Sequence, residues 1–230
     1  MNSTFPELVW RSDVMPISKR FDDPYFSVDN GFAETNYVFL KGNGLPERFR
    51  EGFSIAELGF GTGLNFLTTV FSWRERKCSG ILRFTSFEAF ALQPDDMIRA
   101  LLPFEELQDI VDEFAPLWSD LLESGKIILP DVELTLIQGD ARRQVPNWTG
   151  LADCWYLDGF SPAKNPELWG ADILQSVFDH THPKGTFATY TAAAIVRQNL
   201  RSAGFEVSRI PGFGRKRHMS HGHKGALDAK

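Results

Sequence analysis

Apolar and polar positions along this chain switch repeatedly between two periods. "FSIAELGF" (53–60) is a near-continuous apolar run and predicts a buried strand. "GLNFLTTVFSWRER" (63–76) spaces its apolar residues three or four apart and predicts a helix. The alternation recurs. Strands are expected over 82–90, 133–140, 152–160 and 185–191, and helical patterns over 94–126 and 167–181. "PDDMIRALLPF" opens the 94–126 stretch with a proline and two acids, a favourable helix start. A further helix runs through "AAAIVRQNLRSAG" (192–204), with Gly204 as its stop signal. Two short strands, 205–210 and 216–221, close the chain around the turn "PGFG". Alternating strand and helix predicts a parallel sheet covered on both faces, and the short final turn predicts an antiparallel last pair. Residues 1–53 lack this rhythm. They carry turn signals at 29–31 and 41–44 and a strand candidate, "YVFL" (37–40). They read as a cap on a single folded unit spanning 54–230.

Composition changes this picture little. Of 230 residues, 43% are hydrophobic and 23% charged, as in an ordinary globular protein, and 20 Phe and 6 Trp promise a well-filled core. The two cysteines, Cys78 and Cys154, fall in or near expected buried elements, so a disulfide framework is not indicated and a reducing compartment fits. The start has no apolar segment suited to secretion, and no run of 18 apolar residues occurs, so no membrane span is expected and the cytoplasm is the default. Charge is more informative. The net value of −6 argues against a nucleic-acid partner, but residues 197–230 hold 8 Lys/Arg against 2 Asp/Glu. That basic end reads either as a solvated tail or as a polyanion contact.

The chemistry starts at "IAELGFGTGLNFL" (55–67). Gly59, Gly61 and Gly63 alternate between a strand and a helix. A dinucleotide fingerprint is G-x-G-x-x-G, and the position it needs is Leu64; a phosphate-binding G-x-x-x-x-G-K-[ST] is also absent. Acids stand where phosphate would be repelled. Glu57 ends the first strand, Glu88 the second and Asp140 the third. In open α/β sheets, ligands bind at these carboxyl ends. Glu57 suits an ammonium or sulfonium, Glu88 a ribose diol, and Asp140 an adenine amino group. S-adenosylmethionine carries both cations and a carboxylate that a helix N-terminus can hold. The expected cofactor set is Glu57, Gly59, Phe60, Gly61, Gly63, Asn65, Glu88, Asp140, Ala141 and Asp158. Blander readings remain for the parts: a tight turn for the glycines, a core ion pair for Glu57, helix caps for Glu88 and Asp140.

Five blocks carry a resemblance: "FDDPYFS" (21–27), "ETNYVFL" (34–40), "ELGFGTGLNFL" (57–67), "LDGFSPAKNPELW" (157–169) and "GFGRKRHM" (212–219). Together they resemble the methyltransferase portion of the MnmC family over residues 20 to 219. The resemblance implies a Rossmann-like class I methyltransferase. Its sheet would have seven mostly parallel strands with an antiparallel C-terminal strand, plus the N-terminal cap. It further implies S-adenosylmethionine-dependent methylation of the aminomethyl group of 5-aminomethyl-2-thiouridine at the tRNA wobble position. In that family a flavin-dependent oxidase often follows. No second glycine fingerprint follows here, so methylation alone is implied.

The implied nucleophile is a primary amine that loses a proton as it attacks. Asp158, at the tip of the fourth strand, is the candidate catalytic carboxylate. An ordinary Asp titrates near ~3.9 and is a weak base for an alkylammonium. Its expected tasks are to aim the lone pair and to stabilise the charge growing on nitrogen. Alignment of amine and methyl can supply roughly 7–11 kcal/mol. "DGFSPAKNP" differs from the proline-rich block of adenine-N6 enzymes. Phe160 reads as a uracil-stacking ring or as core, Lys164 as a nucleotide contact or a solvated lysine, and Asn165 as a nucleotide contact. Tyr25 is a candidate cap over the cofactor, or core, and Tyr190, at the tip of the fifth strand, is another wall candidate. Arg215, Lys216 and Arg217 are candidate phosphate grips. His218, His221 and His223 have no Cys or acid at zinc spacing, so no metal is expected. On the residues alone, two other readings stay open: a methyltransferase of a small amine or polyamine, and a non-catalytic nucleoside-binding module.

Overall fold

The computed structural model describes residues 5–27 and 30–225. Asp29, which opens the 29–31 turn signal, and Asp228 and Lys230 of the basic end lie outside them.

The centre is an eight-stranded sheet. In chain order its strands are β4 (Ser54–Leu58), β5 (Leu82–Glu88), β6 (Lys126–Ile128), β7 (Val132–Gln138), β8 (Ala152–Leu157), β9 (Thr181–Thr189), β10 (Phe205–Pro211) and β11 (His218–Lys224). They lie in the order β10-β11-β9-β8-β4-β5-β7-β6. The five strands from β9 through β8, β4 and β5 to β7 run parallel. β11 is antiparallel to both β9 and β10, as the closing turn predicted. From β4 the chain builds outward through β5 and β7, then returns to lay β8 on β4's other side. The loops leaving β4 and β8 therefore diverge, and a crevice opens between them.

Three differences from the sequence reading have local causes. The sheet has eight strands rather than seven, because Lys126–Ile128 pairs antiparallel with β7. Gly125 takes a left-handed φ of 74° and ends the preceding helix, so a strand of three residues hides inside an expected helix. Pro103 and Pro116 break the rest of that stretch into α3 (Pro94–Leu101), α4 (Gln108–Phe114) and α5 (Trp118–Ser124). β9 begins at Thr181, not 185. His182–Gly185 bulges out of its pairing with β8, and Lys184 sits at φ 65°. "YVFL" is not a strand; residues Asn36–Leu40 form a π-helical turn that continues α1 (Gly31–Thr35). A short apolar run fits either period, and the helix before it decides.

The first 53 residues add a small antiparallel sheet, β1 (Leu8–Arg11), β2 (Met15–Ser18) and β3 (Asp23–Pro24). Behind it, Val38, Phe39, Leu40, Leu45 and Phe53 join the same hydrophobic cluster as β4, β5 and α2 (Leu64–Glu75). At the centre of that cluster Phe66 is fully buried, with edge-on contacts to Phe84, Phe114 and Trp118 at 5.3, 5.1 and 6.5 Å. The other face of the sheet is covered by α6 (Ala141–Gln144), α7 (Ala171–Asp179) and α8 (Ala194–Ala203). Phe66→Ala removes one ring from four elements at once and is expected to cost ~3–5 kcal/mol, read as a lower urea midpoint at unchanged slope.

Candidate active site

The glycine loop after β4 turns on left-handed backbone. Gly59, Gly61 and Gly63 have φ of 85°, 54° and 79°, conformations that other residues adopt only under strain. A side chain would also be crowded here. A Cβ on Gly59 would lie 3.2 Å from the Gly159 Cα, and one on Gly61 would lie 3.1 Å from the Tyr25 ring. The loops of β4 and β8 thus meet backbone to backbone, and Tyr25 of the N-terminal segment lies over both. Between them is a cavity of about 790 Å³, the size of a nucleoside cofactor with room for an acceptor.

Fourteen of the expected site residues bring their side chains or backbone to this cavity, and four do not. Gly59, Phe60, Gly61, Asn65, Glu88, Asp140, Ala141 and Asp158 line it on the cofactor side. Tyr25, Phe160, Asn165, Tyr190, Arg215 and Lys216 line the remainder. Glu57, Gly63, Lys164 and Arg217 are absent from the lining. Gly63 caps α2 beneath the Phe60 ring. Lys164 is turned to Asp22, which takes its ammonium on both the backbone and the side-chain oxygen. Arg217 follows Lys216 at the tip of the β10–β11 hairpin and is exposed.

Glu57 is the instructive case. It is completely buried behind the cavity, where Ser86 Oγ donates to one oxygen at 2.7 Å and Asn65 Nδ2 to the other at 2.9 Å. Burial pushes its carboxyl up to about 8, against the pull of those two donors. Its reach to the cavity runs through Asn65, whose amide also donates to Asp158 Oδ2 at 2.7 Å and accepts from Thr35 Oγ1 at 2.8 Å. Asp158 takes a further bond from the Gly159 N–H, at 2.8 Å. Enclosure raises its carboxyl to about 7, opposed by these hydrogen bonds. A carboxylate expected to be a weak base is thus matched to neutral pH.

The other acids hold the loops. Glu88 accepts from the N–H groups of Gly61 (3.0 Å) and Phe90 (2.7 Å), and burial moves its carboxyl upward. Asp140 caps α6 by accepting from the Arg142 N–H at 3.0 Å. The Arg142 guanidinium, 2.5 Å away, holds its carboxyl below the usual range. Two of the sequence blocks also prove to be docked on each other. Asp23 accepts from the Ser161 N–H at 2.8 Å, Phe21 stacks on Phe160 at 4.6 Å, and Tyr25 meets the same ring edge-on at 5.1 Å. Sequence reasoning missed Asp23, Phe21, Glu34 and Thr35, all of which line the cavity. Their signal was the density of acids and aromatics in "FDDPYFS" and "ETNYVFL", from which Tyr25 alone was drawn. Among the described residues, no cluster of His, Cys, Asp and Glu suited to a metal ion is present, and no helix is long and apolar enough to cross a membrane.

A mostly parallel sheet with a glycine loop and acids at its switch point defines a Rossmann-like, nucleoside-binding class of protein. A family model described as S-adenosyl-L-methionine-dependent methyltransferase matches residues 105–225, and the chain belongs to that family. It is 40% identical over 94% of its length to "tRNA 5-methylaminomethyl-2-thiouridine biosynthesis bifunctional protein MnmC" of Leptospira borgpetersenii, and 43% identical over 94% to the protein of that name in Caulobacter vibrioides. It covers 34% and 38% of those proteins, so the chain spans about a third of the length of the relatives it matches. Among solved structures, that of MnmC2 from Aquifex aeolicus superposes with a TM-score of 0.76 at 26% identity, covering 98% of this chain and 72% of that one.

The neutral form of Glu57 favours the folded state. Between its ordinary value near 4.5 and about 8, the folded protein binds the proton that the unfolded chain releases, so stability is lost as pH rises across that window. Glu57→Gln keeps a donor and an acceptor for Asn65 and Ser86 but cannot ionise. Relative to wild type it is expected to gain ~2–4 kcal/mol of stability between pH 5 and 8.5, measured by urea unfolding at both pH values.

Proposed function

We propose that this chain transfers a methyl group from S-adenosylmethionine to the aminomethyl nitrogen of 5-aminomethyl-2-thiouridine at the tRNA wobble position. The observation that carries the reading is Asp158. It lies at the tip of β8, beside the glycine loop, in an acidic cavity large enough for cofactor and acceptor together. The names of the relatives, 40% and 43% identical to this chain, support the choice of acceptor.

The residues fit the cofactor. Bare backbone at Gly59 and Gly61 accepts a methionine tail, Glu88 offers a carboxylate to a ribose diol, and Asp140 with Ala141 closes the base side. The cofactor supplies an electrophilic methyl group. Asp158 holds the acceptor nitrogen, takes its proton and faces the positive charge that develops there. Asn65 fixes the Asp158 carboxylate from below. Phe160, stacked on Phe21 and edged by Tyr25, offers a flat wall to a pyrimidine. Asn165 stands on the same loop. Arg215 at the hairpin tip suits a backbone phosphate. The cytoplasm, where tRNA is modified, is the matching compartment.

The test is mass spectrometry of wobble nucleosides after tRNA bearing 5-aminomethyl-2-thiouridine is incubated with protein and cofactor. Gain of one methylene mass on that nucleoside is expected. Methylation of a polyamine in its place would support the small-amine reading, which the acids of the cavity favour.

Two outcomes follow from the carboxylate near 7. The value of kcat/KM should rise about tenfold per pH unit below pH 7 and level off above it, because the ionised form accepts the proton. Asp158→Asn should lower transfer by at least ~100-fold and abolish that limb of the profile, while cofactor affinity stays within a few-fold by calorimetry.

A further inference from the structure

Lys216 was expected to grip phosphate, and its surroundings are wrong for that. It sits at the tip of the β10–β11 hairpin, which is fastened to the N-terminal helical segment: Tyr37 Oη donates to the Pro211 carbonyl at 3.2 Å, and the Tyr37 and Phe213 rings lie 5.9 Å apart. From there the Lys216 side chain turns into the cavity wall. Its ammonium donates to Glu34 Oε1 at 2.7 Å and lies 4.2 Å from the centre of the Tyr190 ring. Glu34 is nearly buried, its side chain 11% exposed, and no other hydrogen bond to its carboxylate is recorded among the described residues. Tyr190 is fixed in turn, its hydroxyl donating to the Gly159 carbonyl at 2.8 Å, one residue from Asp158.

A near-buried carboxylate facing an aromatic ring is the chemistry that recognises an alkylammonium. A phosphate approaching Lys216 would meet the charge of Glu34 directly behind it. Both groups also act on Asp158: Glu34 raises its carboxyl and Lys216 lowers it, so the pair lies within electrostatic reach of the reacting position.

We infer that Glu34 and the face of Tyr190 form a seat for an alkylammonium group, which the ammonium of Lys216 fills until a cationic acceptor displaces it. This rests on the reading of the chain as an amine methyltransferase and assigns the groups that recognise the amine. Glu34 and Tyr190 receive the incoming ammonium beside Asp158, which then takes its proton. Lys216 swings out to solvent, and its exposed stem (42% exposed) makes that exchange inexpensive.

The seat is testable without methyl transfer. Lys216→Ala removes the three carbons and nitrogen beyond Cβ, which n-propylammonium replaces. Propylammonium chloride should raise the melting temperature of Lys216→Ala saturably, by about 3–6 °C at tenfold over its Kd, measured against sodium chloride at equal ionic strength. No rise is expected for wild type, where the seat is filled, or for Lys216→Ala/Glu34→Gln, where its anion is gone. Absence of a rise in the single variant, or an equal rise in the double, overturns the inference. A second variant gives an independent reading. Lys216→Met keeps the stem and removes the competing charge, so KM for the amine acceptor should fall several-fold, while Glu34→Gln should raise it. A phosphate-gripping Lys216 gives the opposite: KM for tRNA rises in Lys216→Met and its salt dependence flattens. Propylammonium rescue without methylation of tRNA would keep the seat and reject the proposed acceptor; methylation without rescue would do the reverse.

Discussion

The site depends on one side-chain amide. Asn65, at the start of α2, gives one N–H to Glu57 and the other to Asp158, and takes the Thr35 hydroxyl on its oxygen. Four elements meet there: β4, α2, the loop after β8 and the N-terminal α1. Burial first, and then the charge of Asp158, opposes the ionisation of Glu57. Depth separates the two carboxylates. Glu57 is fully enclosed and keeps its proton through neutrality, whereas Asp158 opens on the cavity and titrates near 7. The buried acid therefore acts as a neutral strut that orients Asn65, and the ionisable charge is left at the one position where an acceptor can use it.

The N-terminal segment belongs to the site as much as to the shell. Thr35 completes the Asn65 network, Tyr25 lies over Gly61, Asp23 holds the loop after β8, and Glu34 holds the hairpin tip through Lys216. Each contact links residues more than a hundred positions apart or crosses from the cap to the glycine loop or the start of α2. The cavity is thus closed by long-range polar contacts together with the rings of Phe21 and Tyr25 against Phe160. Polar contacts exchange with water and with ligand groups more readily than packed rings do, which suits a wall that must admit and release an acceptor.

Much of this was legible in the sequence where a single residue type has one structural use. Gly59 and Gly61 occupy left-handed backbone that few other residues accept, and the acids Glu88, Asp140 and Asp158 stand at the strand tips where the alternation put them. The antiparallel hairpin followed from its short turn. What was not legible depends on partners far along the chain. Glu57 reads as a strand end like Glu88, but β4 runs on to Leu58 and Glu57 pairs with Ser86, two residues short of Glu88, so it lies below the strand tips, and that register comes from the neighbouring strand. Lys164 read as a nucleotide contact or a solvated lysine and Lys216 as a phosphate grip, yet each is claimed by an acid of the N-terminal segment. The strand Lys126–Ile128 is too short for periodicity to register, and "YVFL" is apolar at every position, so period carries no information there.

How a chain of net charge −6 can meet a polyanion is a question of where the charges lie. At physiological salt a charge is felt over about 8 Å, so acids on distant faces do not contribute at the cavity mouth. Exposed Arg11, Arg20, Arg142 and Arg215 all contribute to the cavity lining, while Glu34, Glu88 and Asp158 lie deeper. Arg20 is held over the Phe90 ring at 4.6 Å, and Arg142 between Asp140 and Glu167. The arginines thus lie nearer solvent than the three deep acids, with Arg142 offset by its two carboxylates. A substrate that is anionic along its backbone and cationic at a single amine is matched at both ends by such an order. A small polyamine is matched only by the deep acids and would have to pass the arginines to reach them. The radial order of the charges, more than their sum, is what bears on the proposed nucleic-acid acceptor.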